Sequence, residues 1–317
     1  MSVTPKISII SPVYNAAAFL EKFVSSIQSQ TLTDFELILV NDGSTDRSKE
    51  ICDKFAADDN RIKVFHKKNG GVSSARQMGL EESTGEYIIH ADPDDWVEPK
   101  MLQELYQKAQ TDNSDMVICD FFINRGNSQT ISKQAPQQLD APKVLQALFH
   151  NLHGSCCNKL VRHSCIKKYG IQFPQELSLC EDLYFNASLL KNNLKVSYIP
   201  KAFYHYVQNT NANSLTDANK SSFEYDLKLI TIFSQLLKDN DCLKDCINKF
   251  TFDLLTRAYS RKQFTSKEFR KNCKQYKQTL SEKEGLPFSY KFKLYMSCMG
   301  FYRLMLKLDN IKNQIRK

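Results

Sequence analysis

The first 120 residues alternate apolar, β-rich runs with amphipathic helical windows, and this alternation limits the possible folds more than any other feature of the chain. "KISIIS" precedes a helical window from about Ala17 to Gln30, and "FELILVN" precedes one from about Asp46 to Ala57. "RIKVFH" leads to a window from about Ser73 to Glu82, "GEYIIHA" to one from about Lys100 to Thr111, and "DMVICDF" follows. Strand and helix in strict alternation mean βαβ units, so the expectation is an α/β fold with a mostly parallel sheet flanked by helices. Ligands bind such sheets beyond the carboxyl ends of the strands. Four polar loops, "PVYN", "NDGSTD", "NGGVSSARQMG" and "DPDDW", each follow a strand directly and should meet on one rim.

The chain of 317 residues, 42% hydrophobic, can bury a sizeable core as one domain or as a domain with an extension. From about Gln129 to Pro142 the composition turns to Gln, Ser, Pro and Ala, as in a surface connection. Beyond residue 220 the alternation stops, and residues 221–317 read as helix with one late break at Gly285 to Pro287. Charge divides at the same place. Lys and Arg number 23 against 25 Asp and Glu in residues 1–220, and 20 against 10 in residues 221–317. The overall +8 is therefore wholly C-terminal. Ten cysteines show no C-x-x-C spacing, which favours reduced, buried thiols over disulfides. Cys242 and Cys246 have no histidine close by to complete a zinc site. The N-terminal apolar run is too short for a signal peptide or a membrane span, so a cytoplasmic protein is expected.

"IIHADPDDWVEP" gathers three carboxylates, Asp92, Asp94 and Asp95, behind a buried strand. A divalent cation, manganese or magnesium, would offset their repulsion while bridging protein and phosphate oxygens. Capping of the helix that begins near Glu98 accounts for Asp94 and Asp95 equally well. Asp42, at the end of the second strand, either belongs to a turn or accepts a hydrogen bond from a ribose or base. In "NGGVSSARQMG" the glycines, Gly71 included, let backbone amides approach an anion, with Arg76 a turn further on; a plain glycine turn is the alternative. No G-x-G-x-x-G follows the first strand, which argues against a nicotinamide or flavin cofactor.

Taken in order, "ISIISPVYNAAAFLEKFVSSIQSQTLTDFELILVNDGSTDRS", "NGGVSSARQMGL", "GEYIIHADPDDWVEP", "CNKLVRHS" and "EDLYFN" resemble the family 2 inverting glycosyltransferases of bacterial polysaccharide assembly. The resemblance implies the GT-A (Rossmann-like) fold over residues 1–210, with a basic helical region at 211–317. It implies a nucleotide-sugar donor, usually a UDP-sugar, with Pro12, Val13 and Tyr14 along the base. Asp42 would bond the base edge, Arg76 would lie near the base or phosphates, and Asp92 near the ribose or sugar. Asp94 or Asp95 would ligate the metal, and Asp182 would act as the base with Glu181 beside it in the acceptor site. Asn158 and Lys159 would lie near the sugar or acceptor. Gln77 departs from the asparagine that many relatives carry after the arginine.

Without the family, Glu181 and Asp182 read as helix-start acids, Lys159 as a strand-end cation and His205 as a packed histidine. His205 is also a candidate metal or phosphate contact, and the Asn-rich run to Ser214 a candidate lid. The apolar, basic C-terminal stretch suits an anionic membrane surface on the inner face of the plasma membrane, with a saccharide or lipid-linked saccharide as acceptor. Packing against the catalytic domain is the other account of that stretch. A homo-oligomer fits the sequence as well as a monomer does, and no nucleic-acid motif accompanies the basic charge. The rival to catalysis is a nucleotide-sugar-binding module that has lost it; retention of Asp92, Asp94, Asp95 and Asp182 together speaks for the enzyme.

Overall fold

The computed structural model describes residues 4–208, 222–238, 244–260, 264–274 and 288–315. The chain divides into two units, Met1–Thr216 and Asp217–Lys317.

In the first unit, strands β1 (Ile7–Val13), β2 (Phe35–Asp42), β3 (Ile62–Lys67) and β4 (Tyr87–His90) lie parallel in the order β3-β2-β1-β4. Helices α1 (Leu20–Gln28), α2 (Ser48–Asp58) and α3 (Val72–Glu81) link them. All eight residues of "FELILVND" in β2 are buried, because an inner parallel strand is covered on both faces and needs a continuous apolar run. Past β4 the sheet becomes mixed. After β5 (Trp96–Val97) and α4 (Met101–Asp112), strand β6 (Met116–Arg125) pairs antiparallel with β8 (Lys159–Arg162) and parallel with β9 (Val196–Gln208). β8 also closes antiparallel onto β4, and β9 onto β5. The α/β expectation therefore holds, with the antiparallel pairs gathered past β4 beside the long parallel pair of β6 and β9.

The supposed surface connection opens with β7 (Ser128–Ser132), an exposed edge strand that hairpins from β6. Helices α5 (Ala141–Leu148), α6 (His163–Lys168) and α7 (Glu181–Leu190) follow it. The nine described cysteines are all free, seven of them buried. Cys242, the Asn-rich stretch Asn209–Ser214 and the break at Gly285–Pro287 lie outside the described residues.

The second unit is helical: α8 (Phe223–Leu237), α9 (Lys244–Ser260), α10 (Ser266–Cys273), α11 (Phe288–Met296) and α12 (Tyr302–Ile315). A π-helical turn over Ser297–Phe301, with Gly300 at φ 107°, separates the last two. Thr265 and Glu268 form a reciprocal capping box at the start of α10. Phe269 and Tyr302 stack at 4.5 Å within this unit's own core. Among the described residues no helix is long and apolar enough to cross a membrane.

Two residues of the first unit's core set its stability. At Gly79, α3 sits so close to β1 that an added Cβ would collide with the Ile10 side chain and press on Val40. Gly79→Ala should lower stability by about 1–3 kcal/mol through overpacking, read as a reduced urea midpoint. His90, the last residue of β4, packs edge-on against Phe173 and Phe185, and neither ring nitrogen has a protein partner. Burial, reinforced by the Arg76 charge, lowers its pKa to about 3. The unfolded chain takes up a proton near pH 6.5 and the folded one does not. Stability is thus complete above that pH and is lost as pH falls toward 3, by about 2 kcal/mol at pH 5. His90→Phe should flatten that part of the profile, measured as the difference in unfolding midpoint between pH 7 and pH 5.

Candidate active site

The ends of the parallel strands stand in register, Val13 opposite Asn41 and Asp42 opposite Lys67, so their loops emerge together. "PVYN" and "NDGSTDRS" then clamp each other. Asn15, at φ 49°, accepts a hydrogen bond from the Thr45 N–H at 2.8 Å, and its own N–H donates to Ser44. The Ala16 N–H donates to Ser48 Oγ and the Ala17 N–H to Asp46. The second loop thereby caps the approach to α1. Of the three residues expected along a base, the Val13 side chain lies in the core and Pro12 is half-buried in β1. Tyr14 alone offers a free surface, at 47% exposure.

Asp42 is buried and committed. Lys67 Nζ and the Gly70 N–H donate to its Oδ1 at 2.7 and 2.9 Å, and the Gly71 N–H donates to Oδ2 at 2.8 Å. The Gly71 amide expected to face a phosphate thus faces Asp42, and Asp42 folds the N-G-G turn where a base-edge contact was expected. Gly71 has φ 85°, a conformation that favours glycine. Gln77 fits its place: its Oε1 accepts the Phe173 N–H at 2.9 Å.

From the start of α3, Arg76 reaches three carboxylates while only 4% exposed. Its Nη1 donates to Glu181 Oε1 and to Asp182 Oδ1, both at 2.6 Å, and its Nη2 donates to Asp92 Oδ1 at 2.9 Å. Arg76 thus joins the end of β4 to the first turn of α7. Burial opposes the Arg76 charge, but Asp182, Asp92 and Glu181 outweigh it and raise its pKa well above the ordinary value. Burial alone would push Asp182 up. The Arg76 guanidinium and the Cys156 N–H, 3.0 Å from Oδ2, instead hold its carboxyl below the ordinary range. Burial pushes neighbouring Glu181 up, against the pull of Arg76. Two adjacent acids thus diverge in acidity, the pattern that separates a base from an acid.

The three aspartates of "DPDD" do three different things. Asp92 is paired with Arg76, and its N–H donates to Tyr204 Oη at 3.0 Å. Asp95 is 3% exposed; it accepts the Tyr204 hydroxyl at 2.6 Å and the Val207 N–H at 2.8 Å. Burial, with Asp94 and Asp92 close by, raises its pKa well above the carboxylate range. Asp95 thus ties the turn to β9 through Tyr204 and Val207. Asp94, between Asp92 and Asp95, is partly exposed.

Two further candidates are held by protein groups. Lys159 is 1% exposed, and its Nζ donates to His153 O, Ser155 O and Asn158 Oδ1, all within 2.8 Å. With these three bonds it holds the 153–158 loop together. His205 is stacked between Trp96 and Phe122 at 4.6 and 4.4 Å, with Nε2 on Glu98 at 2.9 Å and Nδ1 facing Asn124. It is thus packed between two rings, as one of the two readings of this histidine expected. Sequence reasoning missed Tyr204, Lys67 and the Cys156 amide. Tyr204 stands next to His205 in "FYHYVQ", but adjacent strand residues face opposite ways, and the strand's own sequence does not say which face meets the acidic turn.

One rim of the sheet thus holds an anchored arginine, a pair of acids at the start of α7 and an acidic turn. Residues 8–170 match the profile of glycosyl transferase family 2. The chain is 34% identical over 251 residues to the putative glycosyltransferase EpsH of Bacillus subtilis, covering 76% of this chain and 72% of that one. It is 32% identical over 261 residues to the cholesterol galactosyltransferase of Borreliella burgdorferi, covering 77% and 71%. Among solved structures, residues 1–349 of Staphylococcus aureus TarS in complex with UDP-GlcNAc superpose with a TM-score of 0.75 at 18% identity, covering 98% of this chain and 92% of that one. The last likeness speaks to the fold, a curled mixed sheet flanked by helices. The chain belongs to glycosyl transferase family 2 and has the GT-A fold.

Proposed function

We propose that the protein is an inverting glycosyltransferase. It takes a sugar from a UDP-sugar and passes it to a hydroxyl of a saccharide or lipid-linked saccharide, in surface-polysaccharide synthesis at the cytoplasmic face. The observation that carries this reading is the Arg76 cluster, which brings Asp92, Glu181 and Asp182 to one rim of the sheet. UDP-GlcNAc in the TarS structure supports the donor class, and the name of the Borreliella relative, a cholesterol galactosyltransferase, supports a lipid-type acceptor.

Asp182 is the general base. Held ionised by Arg76 and the Cys156 amide, it takes the acceptor proton as the hydroxyl attacks the anomeric carbon opposite the leaving diphosphate. Arg76 fixes the base against Asp92, so acceptor and donor sides keep a constant separation. Asp92 faces the ribose or sugar, and Tyr14 lies along the nucleotide base. Asp94 suits a manganese or magnesium ion, since such ions take one or two carboxylates together with donor phosphate oxygens. Asp94 and the donor phosphates would share the ion. When bound, it would neutralise charge developing on the diphosphate.

Asp182→Asn should leave donor binding intact and cut transfer about a hundredfold or more, the usual contribution of a general base. Undiminished transfer would remove Asp182 from the role. Asp94→Asn should weaken manganese-assisted UDP-sugar binding at least about tenfold by calorimetry, a lower bound set by outer-shell partners of bound ions. Asp95→Ala should instead lower the unfolding temperature. The reverse pattern would exchange the roles of the two aspartates.

A further inference from the structure

The second unit turns apolar side chains outward that its core does not need. Leu294, Cys298, Tyr302, Met305 and Leu306 already fill the inner side of its last two helices. On α11, Phe288, Phe292 and Tyr295 are 81%, 47% and 38% exposed, at i, i+4 and i+7. Phe301, which ends the π turn, and Leu304 and Leu308 on α12 stand at i, i+3 and i+7 and are each close to half exposed. Six of the nine exposed large hydrophobic residues among the described ones thus fall within residues 288–308. The spacing puts each set on one helical face. Exposed Arg303 and Lys307 stand among the second set. The one acid in residues 288–317, Asp309, is paired with Lys293.

A two-fold contact with a second copy would bring these cations toward their own counterparts, at an electrostatic cost. Anionic lipid headgroups complement them, and each basic residue near such a surface is favoured by electrostatics. At nine and fourteen residues the two helices are too short to span a bilayer. They suit one lying in its surface.

We infer that the outward face of residues 288–308 is a lipid-binding surface for anionic membranes. Phe288, Phe292, Phe301, Leu304 and Leu308 enter the boundary between headgroups and acyl chains, while Arg303 and Lys307 meet the phosphates. The surface is independent of the catalytic reading and needs neither donor nor metal.

The test is flotation of the full chain with vesicles of phosphatidylcholine alone, or of equal parts phosphatidylcholine and phosphatidylglycerol, with no nucleotide sugar present. The chain should float with the mixed vesicles only, and less as salt is raised. The triple variant Phe301→Ser/Leu304→Ser/Leu308→Ser and the pair Arg303→Glu/Lys307→Glu should each reduce bound protein at least about tenfold. Both variants should keep the wild-type unfolding temperature and the wild-type rate of UDP-sugar hydrolysis in solution. Absence of wild-type flotation, or equal flotation of the charge-reversed pair, overturns the proposal. So does a concentration-dependent dimer that the serine variant dissolves, which would assign the face to a second copy. Should flotation follow the expected pattern in a protein that hydrolyses no UDP-sugar, the lipid surface stands and the catalytic reading fails.

Discussion

A guanidinium buried with three carboxylates is the interaction on which the site depends. Arg76 is nearly inaccessible, and a charge so placed is stable only if it is paired and hydrogen-bonded. Its partners come from two distant parts of the sequence: Asp92 at the end of β4, and Glu181 and Asp182 at the start of α7. Pairing therefore fixes where α7 begins relative to the sheet. The α7 helix dipole favours the same two acids, so the local account of Glu181 and Asp182 as helix-start residues and the account from the site are both satisfied. The arrangement is demanding in return. Without the arginine, three buried or half-buried acids would face one another with nothing to offset them, and protonation or local unfolding would follow.

The same reasoning explains why the chain collects acids at "DPDD". Their repulsion is divided among unlike surroundings. Asp92 is neutralised by Arg76, while Asp95 is buried with its acidity suppressed beneath Tyr204 and Val207. Tyr204 is the hinge of the arrangement, because one hydroxyl accepts the Asp92 N–H and donates to Asp95. Asp94, between the two acids, is partly exposed.

Much of the fold was legible because inner strands and amphipathic helices carry opposite hydrophobic periods. The windows read for β1 to β4 and for α1 to α4 lie within a few residues of the observed elements. β5, β7 and β9 escaped detection for physical reasons. Two residues of β5 give no period, β7 is an exposed edge with nothing to bury, and β9 bends through a bulge near Asp120 that breaks its alternation. For the site, residue types at strand ends were readable and their partners were not. Asp42, Gly71, Lys159 and His205 all have the chemistry of ligand contacts. Only the folded chain reveals that Gly70 and Gly71 donate to Asp42, that carbonyls take up Lys159, and that two aromatic rings enclose His205.

Buried, paired carboxylates do not by themselves mark chemistry, and the sheet supplies its own control. At the opposite rim Glu36 is as buried as Asp95, with Ser8, Lys63 and the Thr84 N–H and hydroxyl all donating to it. Those contacts outweigh burial and hold its carboxyl below the ordinary range. Nothing near Glu36 is left unsatisfied, and the cluster acts as a staple across β1, β2 and β3. The rim that holds Arg76 differs. Among the described residues of the first unit, the buried side-chain atoms without a protein partner are Ser11 Oγ, Arg76 Nε, both His90 nitrogens, Asn186 Oδ1 and Ser188 Oγ. All lie on β1, α3, β4 or α7, the elements that build the site. An unpaired buried polar atom costs about 1–3 kcal/mol, so native folds keep few of them. The side chains of the staple all have partners, whereas Arg76 keeps its Nε without one, and in this the two clusters of buried charge differ.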